Sequence, residues 1–175
     1  GITSDIAADC AAAKTAARTL AAASTDSKNE ALAAIAAGLI ERSEEILAAN
    51  VQDLSDEHAA GLTDALIDRL TLTAERIEAI AAGAREVARL DDPVGEEIES
   101  RILDNGLELK KVRVPLGVVA VVYEARPNVT IDCAVLTIKS GNAILLRGSS
   151  YAERTNRALA DVVRDGLAKA GLPED

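Results

Sequence analysis

At 175 residues and a formal net charge of −10 at pH 7, the chain is an acidic polypeptide of about one domain's length. Because it contains no Phe, Trp or Met, its core must be aliphatic. No stretch approaches the ~20 apolar residues of a membrane-spanning helix, and the amino terminus lacks a signal-peptide pattern, so we expect a cytoplasmic protein without a membrane partner. Residues 1–92 carry 17 acidic and 8 basic side chains, which repel polyanions, so we expect no nucleic-acid partner.

The cysteines and the single histidine do not form a metal-binding pattern. Cys10 and Cys133 lie far apart without metal-ligand spacing, and an intracellular chain keeps such thiols reduced. His58 has acidic neighbours but no second nitrogen or sulfur ligand nearby. We therefore expect no metal, a structural or surface role for His58, and a core position for Cys10.

Residues 1–92 predict a helical region. Apolar residues recur every three or four positions from Ser4 to Ala23, in a stripe that includes Cys10. The run Ser27-Lys28-Asn29-Glu30 reads as a capping box that begins a second helix. A third long helix is expected after Thr73, ending at the turn cluster of residues 91–95.

Residues 96–114 predict a β-hairpin. Asn105-Gly106 separates two alternating runs, and this dipeptide is typical of a type I′ turn, in which both residues have positive φ. An isolated two-stranded ribbon is marginal in water. We therefore expect the hairpin to pack against a partner surface and the protein to be a homo-oligomer.

Residues 115–175 predict a partial α/β unit of strand, helix, strand and helix. The uniformly apolar run 117–123 indicates a parallel strand covered on both faces, followed by a helix over 128–139, a second buried strand at 143–146, and a helix begun by a capping box at Ser150. The fold class is therefore α/β, with a parallel sheet. We expect the chain to be the amino-terminal portion of a longer protein, because two strands alone make a poor parallel sheet.

Polar residues follow both predicted strands, at the sheet edge where α/β proteins bind ligands. Neither loop has the Gly-x-Gly-x-x-Gly pattern of a dinucleotide turn. In the second loop Arg147, Gly148, Ser149 and Ser150 precede a helix amino terminus, a combination that suits an anion, although an ordinary helix cap with a surface arginine explains it equally well. This loop has no acidic residue that could bind the ribose 2′-hydroxyl of NAD. The 2′-phosphate of NADP suits Arg147 better, so we expect NADP as the cofactor if a dinucleotide binds here.

Two runs carry a resemblance to a known family: VPLGVVAVVYEARPNVTID at 114–132 and KSGNAILLRG at 139–148. Shorter pieces at 48–50, 68–73 and 92–95 agree with it. Together they resemble the gamma-glutamyl phosphate reductases, also called glutamate-5-semialdehyde dehydrogenases, of the aldehyde dehydrogenase superfamily. The resemblance implies a partial aldehyde-dehydrogenase-like cofactor-binding domain, in which residues 1–92 are the helical lead-in and residues 115–175 are a partial NADP-binding α/β unit.

The same resemblance implies an enzymatic reaction and its site. The reaction is the NADPH-dependent reduction of L-glutamyl 5-phosphate to L-glutamate 5-semialdehyde and phosphate, the second step of proline biosynthesis, with possible contact with glutamate 5-kinase. Asn128 would contribute to the oxyanion hole. Arg126 is left open between a substrate ligand and a partner of Glu124. The expected cofactor-binding residues are Glu124, Ala125, Arg126, Pro127, Arg147, Gly148, Ser149 and Ser150.

The family's nucleophilic cysteine would lie beyond residue 175. Cys133, near a helix amino terminus, is a possible substitute, but its apolar neighbours favour buried packing. We therefore expect the 175 residues alone to be inactive. Two alternatives remain open: a stand-alone assembly or regulatory module that uses the hairpin without catalysis, and a stable fragment that retains only weak nucleotide binding.

Overall fold

The computed structural model describes residues 6–56 and 61–174. His58 lies outside the described residues, so its predicted role stays a prediction. In those two ranges, no helix combines the length and the apolar character that crossing a bilayer requires. The helices and strands, in chain order, are α1 Ile6–Ala22, α2 Thr25–Glu41, α3 Ser43–Ser55, α4 Asp64–Leu70, α5 Ala74–Arg89, β1 Glu97–Ile102, β2 Glu108–Val112, β3 Val118–Val122, α6 Asn128–Lys139, β4 Ala143–Arg147 and α7 Glu153–Lys169.

Helix α2 forms the centre of the core and packs against α5, α6 and α7. Its inward residues Leu32, Ile35 and Leu39 are fully buried. The core is aliphatic throughout, as the composition predicts, and buried residues of α5, α6 and α7 belong to it. Small side chains let these helices approach closely, which offsets the lack of aromatic residues.

The helix starts differ from two sequence predictions. Helix α2 begins at Thr25, because Ser24 Oγ accepts a hydrogen bond from the Ser27 backbone N–H at 3.1 Å; the capping box at Ser27 is therefore wrong. Cys10 is exposed, so its predicted core position is also wrong. The buried residues of α1 all lie from Ala13 onward, and the stripe's first residues extend past the core.

A buried ion pair holds the turn that follows α5. Lys28, only 1% exposed, pairs with Asp92, which also accepts hydrogen bonds from Thr25 Oγ1 at 2.7 Å and from the Val94 N–H at 3.0 Å. Burial opposes ionisation of Asp92, but these bonds and the Lys28 charge outweigh it and lower the carboxyl pKa. The predicted turn cluster is confirmed, and its Gly95 has a φ of 86°.

The antiparallel hairpin is confirmed, but its turn is not type I′. Gly106 has a φ of 84°, whereas no non-glycine among the described residues has a positive φ. Two backbone hydrogen bonds close the loop. The Gly106 N–H donates to the Leu103 carbonyl, and the Leu103 N–H donates to the Leu107 carbonyl, both at 2.8 Å. This is the longer hairpin loop in which one glycine takes the left-handed conformation.

Strands β3 and β4 pair in parallel, from Val118 opposite Ala143 to Val122 opposite Arg147. The prediction that β3 is covered on both faces is wrong, because its residues alternate between exposed and half-buried and Val122 is 81% exposed. Within the described residues β3 pairs with β4 alone, and α1 and α6 lie mainly against β4. The second strand is also only half-buried after Ala143.

Two helical glycines allow a matched test of the packing between α2 and α7. A methyl group added at Gly166 would lie 2.5 Å from Ile35 Cγ1 and 3.0 Å from the Ile35 backbone nitrogen, whereas one added at Gly83 meets nothing within 4 Å. We expect Gly166→Ala to lower the free energy of unfolding by about 1–3 kcal/mol through overpacking. Gly83→Ala should raise it by about 0.5–1 kcal/mol. Denaturant titration measures both, and equal effects would contradict the close approach of the two helices.

Candidate functional site

Two depressions lie at the carboxyl ends of β3 and β4, where the sequence places its candidate residues. The first, which we call the Arg147 depression, has a volume of about 490 Å³ and contains Arg147, Gly148, Ser149 and Ser150 in its lining. The second, the Arg126 depression, has a volume of about 430 Å³ and includes Arg126 and Asn128. The structure thus divides the predicted site residues between two neighbouring places.

A chain of hydroxyl and amide groups forms one wall of the Arg147 depression. The Tyr123 hydroxyl lies 2.7 Å from Thr130 Oγ1, which donates to Asn156 Oδ1 at 3.2 Å. Burial raises the pKa of Tyr123, so the phenol stays protonated at neutral pH. Gly148 packs closely against this wall, because a methyl group there would lie 2.3 Å from Asn156 Nδ2 and 3.0 Å from the Tyr123 hydroxyl, so these side chains would have to shift.

The amino terminus of α7 does not face this depression as a free anion site. The backbone N–H of Thr155 donates to Asp53 Oδ2 at 2.8 Å, and that of Arg154 donates to Asp53 Oδ1 at 3.2 Å. A carboxylate of the chain itself thus takes the place that the sequence offers to a ligand. The predicted capping box at Ser150 is also wrong, since Ser149 Oγ instead accepts from the Tyr151 N–H and caps a short 3₁₀ turn.

Asn50, one turn before Asp53 on α3, holds the connection between α4 and α5. Its Nδ2 donates to the Leu70 carbonyl at 2.9 Å, and its Oδ1 accepts from the Leu72 N–H at 2.8 Å. Thr155 Oγ1 joins the two residues, because it donates to Asp53 at 2.6 Å and lies 3.3 Å from Asn50 Nδ2. Asn50 and Asp53 are both buried, so this network is shielded from water.

Arg126 enters the second depression from the loop between β3 and α6, and Asn128 enters it from the first residue of α6. Asn128 Nδ2 donates to Asp132 Oδ2 at 2.9 Å, which fixes the carboxamide and leaves its second N–H free to donate. Glu124 lies 3.9 Å from Arg69 and is not paired with Arg126. Of the two roles left open for Arg126, the structure therefore disfavours the pairing with Glu124.

Ala125 and Pro127, two other predicted residues of this loop, have buried side chains. Ala125 is buried in a small cluster with Leu70 and Ala152, and Pro127 is buried at the start of α6. Their side chains therefore pack inside the protein. Any contact that they make with a ligand uses main-chain atoms.

Neither cysteine lines either depression. Cys133 is half-buried on α6, and burial, together with the negative charge of Asp132, raises the pKa of its thiol. Its position near the start of the helix does not offset these effects. Cys10 lies on the exposed face of α1, away from both depressions.

Sequence reasoning missed Arg69, Asp53 and Asp132 as site residues. Asp132 could be found, because it lies four residues after Asn128 and therefore on the same helical face. Asp53 and Arg69 come from helices far earlier in the chain, and no local pattern links them to the strand ends.

The comparisons with known proteins agree with this geometry. The profile of the aldehyde dehydrogenase family matches residues 2–175. The chain belongs to the aldehyde dehydrogenase family. Its α/β architecture of helical region, antiparallel hairpin and parallel sheet is that of family members with known structures.

Three relatives of this aldehyde dehydrogenase chain are named gamma-glutamyl phosphate reductases. A curated protein of Thermobifida fusca is 53% identical over 163 residues, which are 93% of this chain and 39% of that protein. A crystal structure from Thermotoga maritima has a TM-score of 0.89 at 41% identity and covers 93% of this chain and 39% of its own. One from Saccharomyces cerevisiae has a TM-score of 0.86 at 35% identity, with 93% and 42% coverage.

The family resemblance expected from the sequence is thereby confirmed. The chain spans about two-fifths of the length of these relatives. The range that the family profile matches, residues 2–175, includes both depressions and the α3 residues that support them.

Proposed function

We propose that this chain is part of an enzyme that reduces L-glutamyl 5-phosphate to L-glutamate 5-semialdehyde and phosphate with NADPH, in the cytoplasm. The observation that carries the proposal is the position of Asn128, whose oriented carboxamide shares a depression with Arg126 at the carboxyl end of β3. The identity of 53% to a protein named gamma-glutamyl phosphate reductase supports this choice of reaction.

Asn128 stabilises the oxyanion that develops on the acyl carbon. Its Nδ2 donates one N–H to Asp132, and its second N–H is the donor that we assign to the oxyanion. Asp132 acts as a positioning residue, because it fixes which end of the carboxamide faces the depression. NADPH supplies the hydride when it is bound.

The Arg147 depression suits NADPH. Among the described residues Arg147 makes no ion pair, and its guanidinium donates only to the neighbouring Gly148 carbonyl, so it remains free for a 2′-phosphate. Arg157 is engaged by Glu153 at 2.6 Å, and Arg164 by Asp161 at 3.3 Å. We propose that Arg147 to Ser150 bind the cofactor with side chains and backbone, and that residues 124–127 border it with their backbone.

The 175 residues do not themselves supply the nucleophilic thiolate in this proposal. Cys133 has a raised pKa, and Cys10 lies outside both depressions. We therefore expect turnover from the protein expressed from the complete reading frame that encodes this chain, and none from the 175-residue polypeptide alone.

The cofactor proposal is tested by Arg147→Gln in the protein from the complete reading frame. With glutamate semialdehyde and phosphate as substrates, the loss of one charged hydrogen bond should raise the KM for NADP about 10-fold or more and leave the KM for NAD within about twofold. Arg85→Gln, on α5 and paired with Glu78, is the matched control.

Two results would contradict the proposal. If the wild-type protein does not reduce NADP with these substrates, the proposed reaction is wrong. Equal KM values for NADP in wild type and Arg147→Gln would leave the reaction but remove Arg147 from the cofactor site.

We also propose that the hairpin joins copies of the chain. Its strands are exposed along their whole length, and several large apolar side chains face solvent, among them Ile102 at 78% and Leu107 at 63%. We include contact with glutamate 5-kinase in the same proposal. The acyl phosphate substrate is best protected from water when it passes directly from the kinase to this enzyme. An assembly module without catalysis is the second candidate, which the same exposed hairpin supports.

The hairpin proposal is tested by Ile102→Lys, with Glu99→Gln on the same strand as the control. A buried charge in an interface is costly, so Ile102→Lys should shift the molar mass in solution towards the single chain. Analytical ultracentrifugation measures the mass. Unchanged mass in Ile102→Lys would remove the hairpin from assembly, whereas assembly without NADP turnover in the wild type would favour the second candidate.

A further inference from the structure

The Arg126 depression concentrates arginines in a chain whose net charge is −10. Arg126 reaches it from the loop after β3, and Arg69 and Arg76 reach it from α4 and α5. Three guanidinium groups from separate elements thus converge beside Asn128. The acidic residue in the lining is Asp68, and Glu124 borders it through Arg69.

Arg76 has a structural task in this group. It donates to the Thr71 carbonyl and to Asp68 Oδ1, both at 2.7 Å, and also to the Asp68 carbonyl. These bonds tie the end of α4 to the start of α5 and neutralise the Asp68 carboxylate. Arg76 therefore shapes the depression, and three of its hydrogen bonds are made within the chain.

Arg126 and Arg69 remain available. Among the described residues the Arg126 side chain makes no hydrogen bond or ion pair, although its backbone N–H donates to the Glu124 carbonyl at 2.8 Å. The Arg69 contact with Glu124 is 3.9 Å long and joins side chains that are 45% and 75% exposed, so water weakens it. An anionic ligand can displace such a contact at little cost.

We infer that Arg126 and Arg69 form a subsite for an oxyanion group of the substrate, either its phosphoryl group or its α-carboxylate. This inference rests on the function proposed above. Guanidinium groups match both anions, because each presents paired N–H donors to two oxygens. The subsite gives Arg126 a role in substrate binding and separates it from the cofactor residues of the Arg147 depression.

The size of the substrate agrees with this arrangement. In glutamyl 5-phosphate the phosphoryl group is attached to the reacting acyl group, and the α-carboxylate carbon lies four carbon–carbon bonds from the acyl carbon, which is roughly 5 Å when extended. With the acyl oxygen at Asn128, either anion stays within the same depression. One subsite beside Asn128 can therefore fix the reacting end or the far end of the substrate.

The test uses Arg126→Gln and Arg69→Gln in the protein expressed from the complete reading frame, with Arg85→Gln as the control. In the direction that consumes semialdehyde and phosphate, each site variant should raise the KM of one of these substrates about 10-fold and leave the KM for NADP within about twofold. A higher KM for phosphate assigns the subsite to the phosphoryl group. A higher KM for the semialdehyde assigns it to the α-carboxylate.

Direct binding separates failure of the subsite from failure of the proposed reaction. Calorimetry with inorganic phosphate and with L-glutamate should show that Arg126→Gln weakens one of the two at least fivefold, even if the wild type has no turnover. Arg126→Lys, which keeps the charge but loses the paired donors, should recover part of the affinity. Unchanged KM values and unchanged binding of both probes in folded Arg126→Gln and Arg69→Gln would overturn the inference.

Discussion

The buried carboxylate of Asp53 is the interaction on which the arrangement of both depressions depends. It is 2% exposed and accepts hydrogen bonds from the first amides of α7 and from Thr155 Oγ1. Without it the helix start would lose its hydrogen-bond acceptor, and without those donors the carboxylate would be buried at a high free-energy cost. Asn50, on the same face of α3, fixes the connection between α4 and α5 through Leu70 and Leu72.

These two side chains of α3 therefore determine where the candidate site residues lie. Asp53 sets the position of the turn that carries Ser149 and Ser150, and Asn50 sets the position of the loop that follows Arg69. The strand ends supply Arg126, Asn128 and Arg147. Helices from the first part of the chain and strand ends from the last part thus build the two depressions together.

Much of this fold could be predicted from the sequence, because periodicity and turn residues act locally. Helices α5, α6 and α7, the hairpin and the parallel order of β3 and β4 were all visible in this way. The errors at Ser150 and Cys10 have a different cause. At Ser150 a carboxylate about a hundred residues away caps α7, and at Cys10 the end of α1 extends past the core; no local pattern records either fact.

Native-state hydrogen exchange in Asp53→Ala tests this account most directly, with Asp161→Ala, an exposed partner of Arg164, as the control. We expect the amides of Arg154, Thr155 and Leu72 to lose at least about tenfold of their protection relative to the core amide of Ile35, because the network that holds them opens locally. Asp161→Ala should leave all four amides unchanged. Equal loss at all four amides in Asp53→Ala, or no loss at Leu72, would contradict the claim that one buried network on α3 positions both depressions.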